Sequence, residues 1–135
     1  MGGKKDSERI IRSDPFAKHM GIEFVLIEDG HAISRMKISD KHKNFMGLVH
    51  GGAIFSLADA TFGAAANSSG TKAMAIHVSI DYLAPCKSEY LEADVRLNTK
   101  AGKGGHYRME VRGSSGELVA VCNGWAYHTS RPLIE

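Results

Sequence analysis

From Asn44 to Thr71 the chain carries a single charged residue, Asp59, although its 135 residues include 17 basic and 15 acidic side chains. A uniform distribution would place about six or seven charges in that stretch. Within it, Gly51 to about Asn67 is rich in Ala, free of Pro and too long for an ordinary strand, so it reads as a helix. Ser68-Ser69-Gly70 supplies the stop. A helix this apolar must be covered over most of its circumference, and the rest of the chain has to supply the cover.

The flanking sequence alternates with the period of strands. Ile22 to Glu28 and His31 to Ser39 form a hairpin that turns at Asp29-Gly30. Beyond the helix, Met74, Ile76, Val78, Ile80 and Tyr82 fall on one face against His77, Ser79 and Asp81. Leu91, Ala93, Val95 and Leu97 oppose Glu92, Asp94, Arg96 and Asn98, and Tyr107, Met109 and Val111 oppose Arg108, Glu110 and Arg112. A last run spans Leu118 to His128. These are strands of a half-solvated antiparallel sheet. Turns fall at Pro85 to Ser88, Gly102 to Gly105 and Ser114 to Gly116. Ahead of the hairpin, Asp6 to Arg12 suits a short amphipathic helix, and Asp14-Pro15 caps a second one that ends before Gly21. The expected architecture is α+β, with one long apolar helix lying in the concavity of one curved antiparallel sheet. The expected organisation is a single domain over 1–135, of which 1–15 is an N-terminal helical extension.

Several function classes are excluded by composition and charge. A net charge of +2 spread along the chain offers no polycationic field for nucleic acid. No segment approaches the ~18 apolar residues of a membrane span. The polar start, Met1 to Ser13, is unlike a signal peptide, and Asp6 spoils a myristoylation reading of Met1-Gly2. Cys86 and Cys122 stand far apart without metal-ligand or disulfide spacing, which suits a reducing, cytoplasmic setting. His42 and His50 are eight apart and no His pair has ligand spacing, so no metal is expected.

Chemistry concentrates on the helix. Ile54, Leu57, Ala58 and Thr61 form the stripe assigned to the sheet, and Phe55, Asp59, Phe62, Gly63 and Ala66 form a second stripe. A carboxylate in such surroundings is costly unless it is hydrogen-bonded or used, and the apolar setting should raise its pKa. At the helix start, His50-Gly51-Gly52 presents backbone N–H groups at the positive end of the dipole, a place that can hold an oxyanion. Gly51 and Asp59 lie about 12 Å apart along the axis and about 80° around it. One helix therefore cannot easily bring both to one reacting carbonyl, but two antiparallel copies in a two-fold dimer can.

The set Asn44-x5-His50-Gly51-Gly52-x6-Asp59, read with Ile54-Phe55-Ser56-Leu57-Ala58 and Ile80-Asp81-Tyr82-Leu83-Ala84-Pro85, resembles the hotdog-fold acyl-CoA thioesterases of the phenylacetic-acid-degradation (PaaI) type, from about Phe16 to His128. The resemblance implies a homodimer with a continuous sheet, usually assembled to a homotetramer, acting on an acyl-CoA without a cofactor. It implies that Gly51 polarises the thioester carbonyl and that Asp59 activates water or attacks directly. Asn44 positions water or substrate, and His50 orders the loop and lines the site. Gly52, Phe55 and Phe62 are candidates for substrate contact, with Phe45, Met46 and Leu48 possible pocket walls. Lys100, Gly102 and Lys103 are candidates for the nucleotide end of the coenzyme. The chain departs from some relatives after the helix: Ala73 to His77 stand where those relatives carry a helper Ser or Thr. Two other functions compete, a hotdog hydratase or dehydratase on acyl thioesters and a non-catalytic acyl-CoA-binding protein.

Overall fold

The structure, a computed structural model, describes residues 3–134. Residues 1, 2 and 135 of the expected domain, including the Met1-Gly2 pair of the myristoylation reading, lie outside the described residues. In chain order the elements are α1 (Lys4–Arg12), α2 (Pro15–Met20), β1 (Ile22–Glu28), β2 (His31–Lys37), a 3-10 turn at Asp40–His42, α3 (Gly51–Ala66), β3 (Thr71–Tyr82), β4 (Tyr90–Ala101), β5 (Gly104–Gly113) and β6 (Leu118–Pro132). All strand pairs are antiparallel in the order β1-β2-β4-β5-β6-β3, which leaves β1 and β3 at the edges.

Local chemistry accounts for the joints. The Asp14 carboxylate accepts from Ala17 N at 2.9 Å at the start of α2, Pro15 fills the first helical position, and Gly21 ends the helix at φ +76°. The β1–β2 turn closes with Glu28 opposite His31.

The alternating apolar residues of β2, β4 and β5 all face α3: Met36, Leu91, Ala93, Val95, Met109 and Val111 have no exposed surface. From the helix come Ile54, Leu57, Ala58 and Thr61, each no more than 4% exposed. Full burial of a side chain such as Leu57 contributes about 2 kcal/mol. The buried Thr61 hydroxyl is satisfied within the helix by donating to Leu57 O at 2.6 Å.

Two features of the sequence pattern are corrected. Phe62 and Ala66, placed with Asp59 on the second stripe, belong to the buried face. Phe62 is 1% exposed and tilts onto Tyr107 at 5.3 Å between ring centroids. It reaches the sheet because residue 124 is Gly, where a Cβ would come within 2.8 Å of the Phe62 ring. The single face expected for Met74 to Tyr82 is also broken. A register shift against β6 between Ala75 and His77 displaces the alternation by one residue. Ala73 therefore packs against the core before the bulge and Val78 and Ile80 after it, while Met74 and Ile76 stand out, 59% and 66% exposed.

Candidate active site

The loop before α3 is fixed from beneath by His42, which is 1% exposed. Its Nδ1 accepts from Ser39 N at 3.0 Å, its Nε2 lies 2.7 Å from Met20 O, and its own carbonyl accepts from His50 N at 2.7 Å. In the sequence His42 shows only as one of a His pair without metal-ligand spacing. Its structural task needs partners 3, 8 and 22 residues away, which spacing alone does not reveal.

Asn44 organises the next turn. Its Oδ1 accepts from Met46 N at 2.9 Å and Leu48 N at 3.2 Å, and its backbone N–H donates to Leu48 O at 2.8 Å. The amide oxygen is thereby committed to the loop, and Nδ2 is left without a partner among the described residues. The same turn leaves Phe45 and Met46 pointing outward, 96% and 60% exposed. Leu48 does line a hollow, of about 330 Å³, together with Asn44, Gly51, Ile54 and Tyr82.

The start of α3 distinguishes the two glycines. His50 holds an extended backbone at φ −63°, ψ 136°, and its Nδ1 accepts from Gly52 N at 2.8 Å. The His50 carbonyl accepts from Ala53 N and Ile54 N at 2.9 and 3.1 Å. Every N–H of the first turn is thus engaged except that of Gly51, which has no partner among the described residues. Tyr82 covers the same spot: its hydroxyl donates to Gly51 O at 3.0 Å, and a Cβ at position 51 would sit 3.3 Å from its ring.

Asp59 lies elsewhere. It borders a hollow of about 440 Å³ between α3 and the N-terminal helices, and a smaller one of about 170 Å³ with Phe62, Ala73 and Ala75. Its carboxylate accepts no hydrogen bond and forms no ion pair among the described residues, and burial pushes its pKa above the ordinary value. The strand residues that face it are alanines, so β3 offers no hydroxyl there. His77 is exposed on that strand.

Asp59 and Gly51 therefore open into different hollows of one chain. Phe55 is partly exposed and stands outside both, whereas Phe62, buried in the core, borders the smaller space beside Asp59. Lys100, Gly102 and Lys103 occupy the β4–β5 hairpin, with Gly102 at φ +60° and Lys103 Nζ 5.9 Å from the Tyr127 ring centroid. Among the described residues no group of three His, Cys, Asp or Glu side chains is gathered as a metal site.

Chemically, the arrangement provides one free backbone donor at a helix dipole's positive end and one unpartnered, partly desolvated carboxylate about two turns further on.

The thioesterase superfamily profile matches residues 46–120. A putative esterase of Archaeoglobus fulgidus is 34% identical over 120 residues, 88% of this chain and 78% of that protein. The acyl-coenzyme A thioesterase PaaI of Escherichia coli is 30% identical over 121 residues, 89% of this chain and 86% of that protein. The solved structure of the E. coli PaaI protein from the phenylacetic acid degradation operon superposes with a TM-score of 0.88 at 28% identity, covering 95% of this chain and 94% of that one. The chain belongs to the thioesterase superfamily, as a hotdog-fold thioesterase of the PaaI type.

Proposed function

We propose that the protein hydrolyses acyl-CoA thioesters to a carboxylic acid and free coenzyme A, in a site that two antiparallel copies of α3 build between them. The observation that carries this reading is the division of labour along α3: the unengaged Gly51 N–H and the unpartnered Asp59 carboxylate open into separate hollows. A two-fold axis brings Gly51 of one copy opposite Asp59 of the other, and gives two equivalent sites. The open edge of β3, with Met74 and Ile76 exposed on it, supports edge-to-edge pairing of two sheets. A tetramer of two such dimers is the further assembly we infer from the family resemblance. Cys86 and Cys122, both free and buried, suit a cytoplasmic protein.

In this reading the thioester carbonyl oxygen accepts from the Gly51 N–H, where the helix dipole adds to the polarisation. The carboxylate of Asp59 of the partner subunit takes a proton from water as the water oxygen bonds to the carbonyl carbon. The tetrahedral oxyanion collapses, the C–S bond breaks with its electron pair leaving on sulfur, and the thiolate takes the proton from Asp59. A carboxyl held above its ordinary pKa is a better proton acceptor than an exposed one, which favours the base over the nucleophile. The free Nδ2 of Asn44 is a donor for the water or the substrate. His50, with Nδ1 occupied, and Gly52 hold the loop that carries Gly51. Lys100, Lys103 and the Gly102 turn are our candidates for the coenzyme phosphates.

The test is thiol release from acyl-CoA by Asp59→Asn and Asp59→Ala proteins. A loss of about 100-fold or more in folded protein is expected, and an undiminished rate would remove Asp59 from the mechanism.

A further inference from the structure

The largest hollow beside Asp59 has walls of two kinds. On α3, the stripe that faces it carries small side chains, Ala60, Gly63 and Ala64, which leave the space open. Opposite stand Ile10 and Ile11 of α1, Phe16 of α2 and Phe24 of β1. Ile10 and Phe16 remain 40% and 50% exposed, although both are large and apolar. The helix that carries Ile10 is pinned to the body by polar contacts at its two ends: Lys4 Nζ to Asp29 at 2.7 Å, and the Arg12 guanidinium donating to Phe24 O. Its apolar residues are therefore placed over the hollow without filling it.

Apart from Asp59, the polar side chains on these walls are already engaged. Asn67 donates to Gly63 O and Ala73 O and accepts from Ala73 N, all within 3.1 Å. Ser56 donates its hydroxyl proton to Gly52 O at 2.7 Å, and Asp14 accepts from Ala17 N. Among the described residues no side-chain donor on these walls is left over, and two carboxylates border the space. An occupant with a charged or carbonyl-bearing tail would lose its hydration there without compensation. A hydrocarbon would not. An apolar cavity of about 150 Å³ accommodates benzene, so the 440 Å³ available has room for an aryl group or a medium-length chain.

We propose that this hollow takes the acyl group of the thioester, and that Ile10 and Phe16 of the N-terminal helices set the size of unsubstituted alkyl or arylalkyl chain the protein accepts. The proposal rests on the reading of Asp59 as the reacting carboxylate, because Asp59 is what places the thioester at the mouth of this space.

The test is kcat/KM for thiol release from acetyl-, octanoyl-, dodecanoyl-, phenylacetyl- and glutaryl-CoA, for the wild type, Ile10→Trp and Phe16→Ala. For the wild type, each methylene buried between acetyl and octanoyl should raise kcat/KM by up to about fourfold, and glutaryl-CoA should fall well below octanoyl-CoA. Ile10→Trp should cut octanoyl and phenylacetyl turnover by about tenfold or more while leaving acetyl within about twofold. Phe16→Ala should raise the dodecanoyl-to-octanoyl ratio severalfold, and it carries the test alone if the Trp variant fails to fold. Unchanged chain-length profiles in both variants, or equal turnover of glutaryl- and octanoyl-CoA, would overturn the pocket assignment while an inactive Asp59→Asn protein kept the site reading intact. Full activity of Asp59→Asn would overturn both.

Discussion

Replacing Gly51 by Pro isolates the proposed oxyanion donor, because proline deletes one N–H and the structure shows what else that deletion touches. The Gly51 N–H makes no hydrogen bond among the described residues, so the helix loses none. Position 51 is the first of α3, where proline's fixed φ is helical and its missing donor is one of the unpaired N–H groups of a helix start. The preceding residue must be extended before a proline, and His50 already is, with ψ 136°. The one conflict is with Tyr82, whose ring would lie 3.3 Å from a new Cβ; that side chain is 51% exposed and can shift outward at the cost of loosening its hydroxyl's hydrogen bond to Gly51 O. These effects leave folding stability within about 1 kcal/mol of wild type, a shift of a few degrees in Tm. Removal of one oxyanion donor costs about 100- to 1000-fold in kcat. Thiol release at saturating acyl-CoA, read beside a thermal melt, measures both quantities. Gly51→Ala is the control, since it adds the same Cβ and keeps the N–H, and it should stay within about tenfold of wild type. A Gly51→Pro protein with kcat within about threefold of wild type and an unchanged melt would refute the assignment.

Two further predictions concern the neighbourhood of Asp59. Burial raises the Asp59 carboxyl, so the folded chain keeps that proton to higher pH than the unfolded chain does. The ionised form is then a cost to folding, absent below the unfolded pKa of about 4 and complete above the raised folded value. Asp59→Asn should therefore raise Tm at neutral pH, by about 3 °C for a partly exposed group, and the gain should vanish in melts below about pH 4. Phe62→Ala should cost about 3–5 kcal/mol in denaturant unfolding, because the ring is 1% exposed and seated on Tyr107 and Gly124. A loss below about 1 kcal/mol would mean the ring is not a core anchor.

The parts of the fold that could be read from the chain are those set by near neighbours. Asp14-Pro15 and Gly21 bound α2 because a cap, a fixed φ and a left-handed stop act within a few residues. The alternation in β4 and β5 survives because both strands are interior and their inward residues all meet α3. β3 misled for a physical reason: it is an edge strand, its bulge at Ala75 to His77 depends on register with β6, and its outward Met74 and Ile76 imitate a buried face. Phe62 was misplaced because the space it needs is created by Gly124, 62 residues away. At the site, the spacing of Gly51 and Asp59 along one helix is legible in the sequence, and it is the ground for expecting two copies. The difference between Gly51 and Gly52 did not appear until the His50 side chain was seen to take the second N–H. Asn44 spends its oxygen on the turn, a task the motif spacing does not show, and its Nδ2 is unengaged among the described residues. The hollow under α1 is not legible in the sequence, since it is formed where five separate segments meet.

The central claim is that each site takes Gly51 from one copy and Asp59 from another. It is tested by mixing purified Gly51→Pro and Asp59→Ala proteins, dissociating and reassociating them, and measuring acyl-CoA hydrolysis. Random reassortment makes about half of the dimers mixed, and each mixed dimer holds one site with both groups intact, so activity should recover to about one quarter of wild type. A mixture that reassociates but stays as inactive as its two parents would place both groups within a single chain and contradict the account.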